Sequence, residues 1–151
     1  MPPCGMTNRV PFAAALLGAA GLLPPLIGAV VAWSDLGGFG STAAGFILLY
    51  SALIFSFLGG SWWAFACREE RPRWWLLVIA VVPSLAAWAI LPLRASELRP
   101  ALTLAGLIIA SLAVDWLLFR RGLTPRWWLK LRAPLSVGLA ALLALTVWWA
   151  R

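Results

Sequence analysis

The sequence predicts an all-α polytopic membrane protein: a bundle of five transmembrane helices with a short interfacial helix before the fifth. Three observations predict it. The chain is 63% hydrophobic with a mean hydropathy of +0.92, whereas soluble domains are about 45–50% apolar. The excess is gathered into runs long enough to cross a bilayer. Lys, Arg and Trp collect at the ends of those runs, where they orient and anchor spanning helices. At 151 residues one integral membrane domain covering the whole chain is expected.

The five runs lie roughly at residues 11–33, 42–67, 74–93, 101–119 and 135–150. A helix needs about 20 residues to cross the hydrocarbon, and the first four runs qualify. Run one follows Arg9 and contains Val30-Val31-Ala32, which resembles a signal cleavage site. It is far longer than the roughly 7–15 apolar residues of a signal peptide, so a spanning helix is expected. Pro24-Pro25 predicts a kink in it, with the freed carbonyls met by neighbouring helices.

Run two carries small residues every fourth position: Ala52, Ser56, Gly60 and Ala64. Small residues let helix backbones approach closely in lipid, so this row is expected to pack. Gly60→Leu is then expected to do more damage than Leu58→Ala. Gly18 and Gly21, and Gly106 and Ala110, are expected to serve the same purpose. In run three, Pro83-Ser84 frees a carbonyl and predicts a packed kink.

Run five is short. Residues 127–134 or local thinning of the bilayer would extend it. Thr124 and Pro125 suit the start of a short interfacial helix over 125–132. Trp127, Trp128, Leu129 and Leu131 would dip among the head groups, with Arg126, Lys130 and Arg132 wet. Pro72-Arg73-Trp74-Trp75-Leu76 and Pro125-Arg126-Trp127-Trp128-Leu129 match, as two interfacial helix starts would.

Orientation follows from Lys and Arg. The tail (Arg9), second loop (Arg68, Arg71, Arg73) and fourth loop (Arg120, Arg121, Arg126, Lys130, Arg132) hold nine of the twelve. Arg94, Arg99 and Arg151 are the other three. The N-terminus is therefore expected in the cytoplasm and the C-terminus outside. Trp33, Trp148 and Trp149 would mark the outer interface. Trp62, Trp63, Trp74, Trp75, Trp116, Trp127 and Trp128 would mark the inner one. Cys4 and Cys67 then face the reducing side, and no disulfide is expected.

Asp115 is the one acid inside an apolar run. A carboxylate there needs a partner or a proton and marks a site by default. It is expected to point at the second helix, with Ser61, Trp62 and Trp63 at matching depth and Ser111 one turn above. Arg120, Arg121, Arg126, Trp127, Trp128, Lys130 and Arg132 are expected to anchor the inner interface.

The net charge of +7 falls at helix ends, where it meets anionic head groups. Nucleic-acid binding is not expected. The chain has no His and no HExxH, GxSxG or P-loop pattern. No catalytic residue, cofactor or metal is expected.

AALLGAAGLLPPL (14–26), SFLGGSWWAFA (56–66), VVPSLAAWAIL (81–91), Asp115 and GLTPRWWLKLRAPLS (122–136) resemble a bacterial five-span family, domain of unknown function 3429. Mitochondrial transmembrane protein 69 is similar. The resemblance implies a five-helix bacterial inner-membrane protein with no established activity. In the family pattern a His stands at the place of Trp62, so a His–Asp relay with Asp115 cannot operate here.

Two roles follow. The absence of a soluble domain and of cofactor ligands suits an accessory or assembly subunit of a larger membrane complex, with lipids and other membrane subunits as partners. The alternative is a binder or carrier of a lipid, quinone or porphyrin, in a Trp-rich inner-leaflet pocket among Trp62, Trp63, Trp88, Trp116 and Asp115.

Overall fold

The computed structural model describes residues 9–34, 38–92 and 98–149. Cys4, Arg94 and Arg151 lie outside them. The described residues form helices α1 (Phe12–Ala20), α2 (Leu23–Ser34), α3 (Gly40–Ala66), α4 (Trp74–Ile90), α5 (Leu98–Arg120) and α6 (Trp128–Trp149). Four segments are long and apolar enough to cross a membrane: Phe12–Ser34, which joins α1 and α2, then Gly40–Ala66, Leu98–Arg120 and Trp128–Thr146. The apolar helix α4 is shorter, at 17 residues.

Run one breaks because Pro24 and Pro25 have no N–H to offer the carbonyls of Ala20 and Gly21. Both prolines sit in the first turn of α2, where a missing donor costs least. The Gly21 carbonyl finds another partner: Tyr50 Oη of α3 donates to it at 2.6 Å. Gly18 lets α1 close on α6. A Cβ there would meet Leu135 Cδ1 at 2.8 Å and Leu131 Cδ1 at 3.3 Å.

Helix α3 runs through the middle of the bundle and packs most extensively on α4. Its larger apolar cluster joins Leu48, Phe55, Leu104, Ile108 and Leu143. A second cluster lies around the C-terminal end of α3, with Trp62, Ala66, Leu76, Leu118 and Leu123.

The row of small residues on α3 does not pack as the sequence predicts. Ala52 is buried, and Ser56 is half-buried with its Oγ 2.8 Å from Ser84 Oγ. Gly60 and Ala64 are exposed, and a Cβ at Gly60 would have no atom within 4 Å. The cause is helix geometry. Residues four apart advance by about 400°, so the row rotates about 40° per step and about 120° over its length. The close contact falls at Gly59 instead. There a Cβ would collide with the Ala80 carbonyl oxygen and lie 3.4 Å from Pro83 Cβ. Leu58 is only 2% exposed, so the expected order of Gly60→Leu and Leu58→Ala is reversed. Gly106 and Ala110 also face outward, while Gly21 sits at the break.

Helix α5 stops in a Schellman motif. Gly122 has φ 69°. Its N–H donates to Phe119 O at 2.9 Å, and the Leu123 N–H donates to Leu118 O at 3.1 Å. Leu118 and Leu123 seal the motif with a buried apolar contact. The turn sends the chain straight back along α5.

No separate interfacial helix precedes α6. Residues 128–132 are the first turns of one continuous helix reaching Trp149, with Pro134 inside it. Thr124 is buried, with no partner at Oγ1 among the described residues, so it does not cap the segment. The physical reason is Asp115: Trp128 and Arg132, one turn apart on α6, both reach its carboxylate. That draws the segment into the bundle.

Candidate functional site

Asp115 has 0% exposure. It projects from the last two turns of α5, and its carboxylate meets three donors. Trp62 Nε1 of α3 and Trp128 Nε1 of α6 each donate to Oδ1 at 2.9 Å. Arg132 Nε donates to Oδ2 at 3.3 Å and forms an ion pair. One carboxylate therefore ties three helices together. A buried carboxylate is tolerable only with such partners, and charge-assisted hydrogen bonds are the strong ones.

The donors are held in turn. Trp128 and Arg132 share a face of α6 because they are four residues apart. Phe65 of α3 meets the Trp128 ring edge-on, with centroids 4.9 Å apart. Arg68 closes this end of the site by donating from Nη1 to the Leu123 carbonyl at 3.0 Å.

Of the polar site expected from sequence, the structure brings together only Asp115 and Trp62. Ser61 Oγ turns back to the Phe57 carbonyl of its own helix at 3.3 Å. Ser111 Oγ does the same to Ile108 at 2.6 Å. Trp63 is 46% exposed. The reason is shared: a serine hydroxyl finds a carbonyl one turn back within its own helix, and adjacent helix positions face about 100° apart.

Of the expected interface anchors, Arg120, Arg121, Arg126 and Lys130 are exposed. Arg120 lies over the Trp116 ring at 4.9 Å, and Arg121 over Trp75 at 4.4 Å. Trp127 is half-buried and tilted against Trp128. Arg132 is a correction: it is 6% exposed, because Asp115 gains more from it than water does. The sequence signal for this arrangement was the Trp128, Arg132, Ser136 spacing, which lines up three polar groups on one face of α6.

The pocket expected among Trp62, Trp63, Trp88, Trp116 and Asp115 does not form. Trp62 is in the core while Trp63, Trp88 and Trp116 face outward. A different cavity, of about 360 Å³, lies between the α1–α2 break and helices α3, α5 and α6. Leu17, Leu22, Ile54, Leu58 and Leu139 make it apolar, and Arg132 and Ser136 border it. Arg132 Nη2 and Ser136 Oγ are buried and have no partner among the described residues. Among the described residues no group of three His, Cys, Asp or Glu side chains is placed to hold a metal. The carboxylate has both oxygens committed, so the arrangement offers an anchored cation and an apolar chamber.

Transmembrane protein 69 from Xenopus tropicalis is 35% identical over 131 residues, covering 84% of this chain. The chain spans about half the length of that relative, 50%. No solved structure matches the chain. The family described as Protein of unknown function (DUF3429) matches residues 10–148, so this membrane protein, with its buried Asp115 tie between α3, α5 and α6, belongs to that family.

Proposed function

We propose that this chain is a non-catalytic protein of the bacterial inner membrane that crosses it five times and binds a small apolar ligand. The observation that carries the reading is the cavity beside Arg132. Its volume lies in the range of ligand pockets, and it joins apolar walls to a few polar groups, as such pockets do. Native mass spectrometry of the protein, extracted in a mild detergent, is expected to show a bound small molecule that leaves on activation. A chain that always flies bare would overturn the reading.

A second reading, an accessory subunit of a larger membrane complex, is favoured by α4. At 17 residues it is about 26 Å long, short of the roughly 30 Å hydrocarbon core. Its outer face is apolar: Val78, Val81, Val82, Leu85 and Trp88 are exposed. Such mismatch is relieved by thinning the bilayer or by helix association.

The charge count supports an N-terminus inside. A reporter fused after Arg151 is expected to be active only outside the cytoplasm, and one inserted among residues 121–126 only inside. The opposite pattern would invert the orientation.

A further inference from the structure

We infer that the cavity takes a neutral amphiphile, one that presents a carbonyl oxygen to Arg132 and Ser136 and lays its apolar tail between the α1–α2 break, α3 and α6. This deepens the binding reading above and rests on it.

The head-group chemistry follows from what the chain leaves unmet. Arg132 and Ser136 stand one turn apart on α6, and both border the cavity. Arg132 Nη2 and Ser136 Oγ have no partner among the described residues, and a small turn of each side chain brings it to the cavity. Most buried polar groups in folded proteins are partnered, and these two orphans, unlike that of Thr124, stand beside one cavity, where an acceptor from outside the chain can meet them.

Charge decides which acceptor. Arg132 is already paired with Asp115 at 3.3 Å. The other carboxylate oxygen takes two indole N–H groups. The ion pair is neutral as a unit. An anionic head would add a second negative charge in apolar surroundings, with no further buried cation to meet it among the residues bordering the cavity. A carbonyl oxygen accepts both hydrogen bonds and adds no charge.

The rest of the ligand follows from the walls and the depth. Leu22, Ile54, Leu58 and Leu139 suit hydrocarbon. Arg132 lies about 6 Å along α6 from its first residue, and Asp115 about 7.5 Å from the last residue of α5. The head therefore sits near the interface, and the tail points to the midplane. Quinones with an alkyl tail and glycerol esters of fatty acids share this chemistry.

The test uses the full chain in maltoside detergent with three probes: a decyl-substituted benzoquinone, a monoacylglycerol and myristate. At least one neutral probe is expected to raise the melting temperature, with a midpoint at least tenfold lower in concentration than that of myristate. Which neutral probe does so separates the quinone from the ester source. Ser136→Val removes an unpartnered hydroxyl, so the ligand-free protein is expected to melt no lower than the parent. It should weaken the neutral probe about five- to tenfold, the worth of one hydrogen bond. If myristate binds as well as or better than both neutral probes, the neutral head is wrong while the binding site stands. If a neutral probe binds but Ser136→Val leaves it unchanged, the head is not at Ser136. If none of the three binds, the binding reading itself falls.

Discussion

Asp115→Leu is expected to destabilise this protein by about 3–5 kcal/mol, as removal of one partner from a buried ion pair generally does. The substitution leaves the Arg132 guanidinium enclosed without a counter-charge. It also leaves the indole N–H groups of Trp62 and Trp128, both 2.9 Å from Asp115 Oδ1, without their acceptor. Asp115→Asn keeps an oxygen for the indoles and loses the charge, so it is expected to fall between parent and Leu. The pair Asp115→Leu with Arg132→Met replaces the buried charges by apolar groups. It is expected to regain much of what the single change loses, because a well-packed apolar substitute is often no worse than a buried ion pair. Melting in detergent measures these proteins and the single variant Arg132→Met, and the cycle of parent, Asp115→Leu, Arg132→Met and their double variant gives the coupling between the two positions. If the double variant is no more stable than Asp115→Leu alone, the uncompensated Arg132 is not the source of the loss.

The same carboxylate shows what the sequence could say about the site. An acid within an apolar run must be partnered, whatever the fold, so Asp115 stands out from composition alone. Its direction toward α3 follows from free energy, since hydrocarbon offers no donor. The identity of the cation does not follow. Arg120, Arg121 and Arg132 all lie within reach in sequence, and a long side chain at a helix end either snorkels to water or turns inward. The Schellman turn at Gly122 decides between them. It folds α6 back along α5 and brings residue 132 opposite residue 115, while Arg120 and Arg121 settle over Trp116 and Trp75.

Helix positions were legible where they depend on long-range composition, and less so where they depend on a single residue's direction. The Pro24-Pro25 pair announces a break because two missing N–H groups remove two bonds. That Tyr50 would supply one of the missing donors is a tertiary fact, set by how α3 crosses α2. The interfacial helix fails for a similar reason. Pro125 and the Trp pair suit an interface, but an unmet buried carboxylate outweighs that preference and pulls residues 128–132 inward.

Gly59→Leu is expected to be the most damaging of the glycine substitutions on α3, and Gly60→Leu to be tolerated. The two glycines are neighbours in sequence and about 100° apart around the helix. At Gly59 a Cβ would collide with a backbone oxygen, that of Ala80, and press on Pro83. Backbone cannot step aside as a flexible side chain can, so α3 and α4 must separate. Overpacking of this kind costs about 1–3 kcal/mol and sometimes more. The loss falls on the junction where α4 finds most of its contacts, and close approach at small residues is what holds helices together in lipid. At Gly60 the added side chain meets open space, where the bilayer accepts Leu. Melting of the two variants in detergent, with cysteine crosslinking between Ser56 and Ser84 as a monitor of the α3–α4 contact, separates them. The hydroxyls of that pair lie 2.8 Å apart, so crosslinking is expected to persist with Gly60→Leu and to drop with Gly59→Leu. Equal melting and equal crosslinking in both would mean that α4 does not rest on Gly59.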